Sequence, residues 1–303
     1  MKQDARFRGC LLGLAVGDAV GTAVEFRARG SFEPLTDMVG GGPFALLPGQ
    51  WTDDTSMALC LAASLVEGDG FDADDQMRRY CRWVDDGYMS STGTCFDIGS
   101  TVASALRRYR RDGNPYAGSS EPDSAGNGCI MRLAPISMYY SPDIHAVERF
   151  AGESARTTHR APECIDACRL FARIVHRALL GKPKQDVLLG DAEAFVAVDS
   201  VAEIARGGYR SKPESEIRGS GYVIRSLEAA LWAFSRTESF ADAILAAANL
   251  GDDADTTAAV CGQVAGAYYG ENGIPSRWLE CLARRSEIVR LADELCARPR
   301  GSG

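Results

Sequence analysis

Apolar residues fall at three- and four-residue intervals through most of this 303-residue chain, and strand-like alternation is hard to find. Met57, Cys60, Leu61 and Leu65 follow Asp54; Cys168, Phe171, Ala172 and Val175 follow Pro162; Leu227, Ala230, Leu231 and Phe234 follow Gly221. That spacing lines one face of a helix, whereas a half-buried strand would alternate with period two. Breaks rich in Gly, Pro and Asp separate the periodic runs at Gly40 to Gly49, Asp112 to Gly128 and Gly207 to Gly221, and their length hints at function. Alternating βα units are absent, so the expectation is an all-α, compact single-domain bundle of about ten helices. It spans residues 1–298, with 299–303 a disordered tail.

In the expected helix over 258–270, Ala258, Ala259, Gly262, Ala265 and Gly266 repeat every three or four positions. Small side chains on one stripe let a neighbouring helix approach closely, which suits the centre of a bundle.

The chain carries 33 Lys plus Arg against 41 Asp plus Glu, a net charge of −8. A binder of nucleic-acid phosphates needs clustered positive charge, so nucleic acid is not an expected partner. Ten cysteines without a CxxC pair read as reduced thiols of a cytoplasmic protein. Lys2, Arg6 and Arg8 before Cys10 to Val16 have the form of a signal peptide, but Asp18 and Glu25 interrupt the apolar stretch. No run approaches the ~20 apolar residues that span a bilayer, and no membrane insertion is expected. A monomer is expected.

Two segments resemble each other: Thr52-Asp53-Asp54-Thr55 with Ala58 and Cys60, and Asp253-Ala254-Asp255-Thr256 with Ala259 and Cys261, at an offset of 201. Each precedes an apolar helical stretch. Helix capping accounts for one Asp per turn, since Asp and Thr accept backbone N–H bonds at a helix start. Four carboxylates with neighbouring threonine oxygens also make a hard, all-oxygen set suited to Mg²⁺, Mn²⁺ or Ca²⁺. Glu25, after Gly17-Asp18-Ala19-Val20-Gly21, is a candidate fifth. One sequence leaves open whether the two turns meet.

Weaker signals remain. Asp97 in Cys95-Phe96-Asp97-Ile98-Gly99 precedes a helix and reads as a cap or a catalytic acid. Ser124-Ala125-Gly126-Asn127-Gly128 enters a helix with free backbone N–H groups able to cradle a phosphate. His159 is one of three histidines, and Tyr222 can stack on a base or bury its ring.

Taken together, these stretches resemble the ADP-ribosylglycohydrolases, most closely the bacterial dinitrogenase reductase-activating glycohydrolase type. The resemblance rests on Gly9 to Ala19, Gln50-Trp51-Thr52-Asp53-Asp54-Thr55, Cys95 to Gly99, Asn127-Gly128 with Met131-Arg132, Thr158-His159 and Gly251 to Thr256. It implies an all-α fold and a centre of two divalent cations, Mg²⁺ or Mn²⁺, with Thr52, Asp53, Asp54, Asp253, Asp255 and Thr256 as ligands. By the same resemblance Glu25 sits beside or binds the metals, and Asp97 and Glu25 are the candidates for proton transfer. Gly99, Asn127, Gly128, Met131, His159 and Tyr222 are implied contacts to ADP-ribose. Asp252 departs from the glycine that family members often carry there, and it is expected to point outward or to stand behind the metal ligands.

The implied activity is hydrolysis of the N-glycosidic bond between ADP-ribose and an arginine of a mono-ADP-ribosylated protein, releasing ADP-ribose. Alternatives are a serine-linked or small ADP-ribose conjugate, a non-catalytic binding or structural homologue, and a nucleotide pyrophosphatase. The last would place carboxylates at i, i+3/i+4 along helices, and this chain clusters them in turns. By long-range steering, the acidic balance favours basic surroundings around the target arginine.

Overall fold

Helix α1 (Gln3–Gly21) is buried on every side from Gly9 to Gly21, which places it at the centre of the molecule. The computed structural model describes residues 2–190 and 192–297, so the tail expected at 299–303 lies outside the described residues. After α1 come α2 (Asp53–Glu67), α3 (Ala73–Asp86), α4 (Ser100–Asp112), α5 (Ala134–Tyr140), α6 (Ile144–Thr158) and α7 (Pro162–Leu179). The second half adds α8 (Lys184–Leu189), α9 (Asp199–Ala205), α10 (Val223–Arg236), α11 (Phe240–Ala248), α12 (Ala254–Tyr269), α13 (Ser276–Cys281) and α14 (Arg285–Ala297). The described residues hold no strand, only isolated bridges such as Gly126 with Tyr222, and the all-α expectation holds.

Among the described residues fourteen helices replace the expected ten or so, because α5, α8, α9 and α13 have only six or seven residues each and are too short to display a repeat. The apolar positions that gave the longer helices away face inward: Leu61 in α2, Phe171 in α7 and Leu231 in α10 are all fully buried. Of the three expected loops, two carry short 3-10 turns (Pro122–Ser124, Asn127–Cys129, Gly208–Ser211 and Glu214–Glu216), and these two pair: Asn127 N–H donates to Gly221 O at 2.9 Å and Val223 N–H to Ala125 O at 3.0 Å.

The centre of the fold is the contact of α1 with α12. Gly9, Gly13, Gly17 and Gly21 on α1 face Gly266, Gly262, Ala258 and Ala254 on α12. A Cβ at Gly17 would lie 2.1 Å from the Ala258 carbonyl oxygen, and one at Gly262 would lie 2.0 Å from that of Gly13, so the two backbones touch. Glycine inside a helix costs about 1 kcal/mol relative to alanine, a cost this close contact offsets. The small-residue stripe expected at 258–270 thus sits on a helix that begins four residues earlier and ends at Gly270, whose φ is 72°.

One sequence expectation is corrected here. Residues 3–24 reach a mean hydropathy of 1.4 and are long and apolar enough to cross a membrane by length and composition. Asp18 does not break the run as the sequence suggested, because it is one carboxylate among apolar and small neighbours. In the fold that segment is the core helix.

Candidate active site

The two acidic turns meet. The α1–α12 contact brings the first turn of α12 beside the first turn of α2, and each turn's threonine reaches the other's aspartate. Thr52 Oγ1 lies 3.2 Å from Asp255 Oδ2, and Thr256 Oγ1 lies 3.3 Å from Asp54 Oδ2. Capping does not account for these residues: Thr52 and Asp253 occupy the N-cap positions of α2 and α12, and neither makes a side-chain cap bond. Asp53 and Asp54 both lie in the first turn of a regular helix, so their side chains fan apart. Asp53 lines a cavity while Asp54 is fully buried beneath it.

That cavity has a volume of about 680 Å³ and opens to solvent. Among its lining residues are Glu25, Asp53, Asp97, Asp252, Asp253 and Asp255, with no Lys or Arg. Oxygen atoms of Glu25, Asp97 and Asp255 lie within 4.8 Å of one another. Asp97 therefore does not cap α4; its N-cap is Gly99, and Asp97 turns into the acidic cluster with φ 59°.

Crowded, largely buried carboxylates hold their protons. Burial, then repulsion from Asp97, Asp253 and Asp18, pushes Glu25 up to about 9. Burial, then repulsion from Asp18 and Asp253, pushes Asp97 up to about 7, while a hydrogen bond with Glu25 pulls it down. Glu25 is the proton holder of this pair and Asp97 the acceptor. Burial and neighbouring acids also raise Asp53, Asp54 and Asp255 well above the usual range.

The donor set fits divalent cations. The Thr52 hydroxyl has one proton, yet oxygens of Asp18, Asp54 and Asp255 lie 2.9, 3.4 and 3.2 Å from it. Glu25 Oε2, Asp54 Oδ1 and Asp255 Oδ1 are buried without any hydrogen-bond partner. Buried carboxyl oxygens left unpaired are costly, and hard cations are the partners that all-oxygen sites take.

The other residues singled out in the sequence lie around the same cavity, in different ways. Gly99, Asn127, Gly128, Met131 and His159 line it. Asn127 commits its amide N–H groups to Asp253 Oδ2 at 2.7 Å and Ser226 Oγ at 3.2 Å, and so holds Asp253 in place. His159 is buried, its Nδ1 is 2.8 Å from Thr158 Oγ1, and burial lowers it to about 4, so it is neutral at physiological pH. Gly128 is needed beside it, because a Cβ there would lie 3.0 Å from His159 Cε1. Tyr222 is not among the lining residues; its ring is 39% exposed and its hydroxyl donates to Glu163 at 2.7 Å.

Two participants were missed in the sequence. Asp18 is fully buried and accepts from Thr52 N–H at 2.8 Å, Thr55 N–H at 3.0 Å and Thr55 Oγ1 at 2.6 Å, fixing the turn that carries Asp53 and Asp54. Its signal was an acid in the middle of an apolar helix. Phe26 lines the cavity 68% exposed, with φ 60°. Phe26, Asp97 and Asp252 are all left-handed and all line the cavity, and such strained backbone collects at functional sites. Asp252, with φ 56°, is half-buried, and its carbonyl accepts from Phe26 N–H at 2.7 Å, tying the two strained loops together.

Comparison with known proteins points to the family that the sequence resembles. The chain is 43% identical over 288 residues to the ADP-ribosylarginine hydrolase Tri1 of Serratia proteamaculans, covering 95% of this chain and 78% of that protein. It is 34% identical to the ADP-ribosyl-dinitrogen reductase glycohydrolase of Rhodospirillum rubrum, covering 96% of each. A solved structure titled ADP-ribosylglycohydrolase-related protein complex superposes with a TM-score of 0.85 at 43% identity, covering 97% of this chain and 98% of the other. The sequence pattern of the ADP-ribosylglycohydrolase family matches residues 1–303. This chain belongs to the ADP-ribosylglycohydrolase family.

Proposed function

We propose that this protein hydrolyses the N-glycosidic bond between ADP-ribose and an arginine side chain of a mono-ADP-ribosylated protein, releasing ADP-ribose and the unmodified protein. The observation that carries the reading is the convergence of Glu25, Asp97 and Asp255 on one wall of the cavity, in a chain similar to hydrolases named for ADP-ribosylarginine. The volume of about 680 Å³ falls in the range of small-ligand sites.

In this reading Thr52, Asp53, Asp54, Asp253, Asp255 and Thr256 hold two divalent cations, Mg²⁺ or Mn²⁺, with Glu25 alongside. Bound there, the cations supply Lewis acidity toward the ribose hydroxyls and offset the charge of the acids. Ser100, Thr101 and Val102 bring the first-turn amides of α4 to the cavity, and these have no partner within the helix, which suits the pyrophosphate. Neutral His159 and apolar Met131 contribute contact without charge, and Gly99 and Gly128 leave room.

A guanidine leaves poorly unless it takes up a proton. Glu25 and Asp97, whose oxygens lie within 4.8 Å of each other and of Asp255, are the groups placed to handle it. One delivers a proton to the departing nitrogen as the C–N bond breaks; the other takes a proton from the water whose oxygen bonds to the ribose carbon. The ten free thiols support a cytoplasmic setting.

The test is release of ADP-ribose from an ADP-ribosyl-arginine protein with and without Mg²⁺ or Mn²⁺, beside a serine-linked substrate and the Asp54→Ala variant. Metal-dependent release from arginine alone, lost in the variant, is the expected result. Release only from serine, or from neither, would overturn the arginine assignment.

A further inference from the structure

A second groove, of about 640 Å³, adjoins the cavity. The two share a wall: His159 lines the cavity, while the next residue, Arg160, lines the groove. His159 is extended, with φ −134° and ψ 106°, so consecutive side chains leave on opposite sides. The chain here is braced by Ser119, whose carbonyl accepts from Arg160 N–H at 2.8 Å.

The groove runs against the charge of the molecule. Arg149, Arg156, Arg160 and Arg169 line it with Glu148 and Glu153, a local charge of +2 on a chain of −8. Arg156 is paired with Glu153 at 3.0 Å, and Arg169 with Glu148 and with Asp166 at 2.7 Å. Glu148 also holds Arg173 at 2.7 Å, so both groove carboxylates are spent. Arg149 and Arg160 are exposed, and neither has a carboxylate at salt-bridge distance among the described residues. Beyond Arg160 lies a smaller hollow of about 180 Å³, where Arg108 keeps a buried Nη2 without a partner.

We propose that this groove docks an acidic segment of the modified protein, with carboxylates near the ADP-ribosylated arginine paired to Arg149 and Arg160. The proposal rests on the arginine-hydrolase reading for its substrate, and on the groove for its partner. A guanidinium fork matches a carboxylate in a bidentate way, and forks without a carboxylate partner, Arg149 lying over the Phe150 ring at 5.2 Å, have that geometry to offer. The overall negative charge does not prevent docking. At physiological salt its field is screened over about 8 Å, so contacts inside the groove outweigh long-range repulsion. Local capture thereby reverses the preference for basic surroundings that net charge alone suggests.

Two synthetic peptides ADP-ribosylated on a single arginine make the test, one flanked by aspartates and one by serines. The unaltered protein should use the aspartate peptide with a kcat/KM about tenfold higher at low salt, and the preference should shrink as salt rises. Arg149→Gln with Arg160→Gln should remove the preference while leaving the serine peptide unaffected. Arg149→Glu with Arg160→Glu should shift it toward a lysine-flanked peptide. Equal use of the two peptides by the unaltered protein, or an equal loss on both in the glutamine variant, overturns the docking site.

Failure of the arginine reading looks different, as no hydrolysis of either peptide with Mg²⁺ or Mn²⁺. In that event, fluorescence anisotropy of the unmodified aspartate peptide decides for the groove. Weaker binding by the glutamine variant supports docking, whereas equal binding, or stronger competition from a single-stranded oligonucleotide than from the acidic peptide, overturns it.

Discussion

Replacing Gly17 by alanine tests whether backbone contact between α1 and α12 holds the active site together. The new Cβ would lie 2.1 Å from the Ala258 carbonyl oxygen and 2.9 Å from Ala259 N, where ordinary contact begins at 3.4 Å, so the helices must part by about 1.3 Å. The three nearest atoms all belong to the main chain of α12, so no flexible side-chain end relieves them. Overpacking of this kind costs about 3 kcal/mol, against the roughly 1 kcal/mol that alanine gains over glycine in a helix. The net loss of about 2 kcal/mol lowers the thermal midpoint of a chain this long by about 3 °C. Asp18 is the next residue, so the same displacement pulls it from Thr52 and Thr55 and weakens cation binding. Gly152→Ala in α6 is the matched comparison. Its Cβ meets Ile165 Cγ2 at 3.4 Å, so the methyl fits and stability should hold or rise. Urea unfolding of both variants, with and without Mg²⁺, reads both effects. If Gly17→Ala unfolds no earlier than Gly152→Ala and keeps its stabilisation by Mg²⁺, the reasoning is refuted.

Asp97→Asn should cut turnover at least about 100-fold, the scale of general acid–base catalysis, with stabilisation by Mn²⁺ largely retained; unchanged turnover removes Asp97 from the chemistry. Asp18→Asn turns an acceptor into a donor against hydroxyl and amide donors, so it should cost about 2 kcal/mol and lower Mg²⁺ affinity, measured by urea unfolding and calorimetry. In a chelator, stability should fall as pH rises. Glu25 and Asp97 bind protons more tightly folded, at about 9 and about 7, than at their ordinary 4.5 and 3.8. Over that window the native state holds more protons than the unfolded chain, so the loss begins near pH 4 and continues through about pH 9. Urea midpoints at pH 5, 7 and 9 measure it; a midpoint that rises with pH in chelator contradicts the assignment.

Helical periodicity made the long helices legible in the sequence, and the repeated Asp-Thr turns marked the chemistry. The sequence could not show that α2 and α12 meet at their first turns, because that depends on how closely α1 approaches α12. Glycines at 9, 13, 17 and 21 carry that information, but only when set against their partners on α12. Asp18 stayed hidden because its partners are amides and hydroxyls of a turn 34 and 37 residues away. Asp97 looked like a cap, since a lone Asp before a helix has the same sequence form whether it bonds the helix amides or turns away from them. The groove arginines were invisible for another reason: a helix surface rich in arginine reads as solvated until its neighbours show which charges are already matched.

The glycine ladder also sets the order in which this protein becomes competent. Gly17 and Ala258 are neighbours in space but about 240 positions apart along the chain, so their meeting closes a loop that holds most of the molecule. A growing polypeptide that already contains Asp18, Asp53 and Asp54 has half of a charge cluster and nothing to join it to, and those acids stay hydrated and separate. Only when α12 has been made and has docked do the two halves share one enclosed space. Any cation held there binds the finished architecture alone, and so stabilises only the completely folded chain.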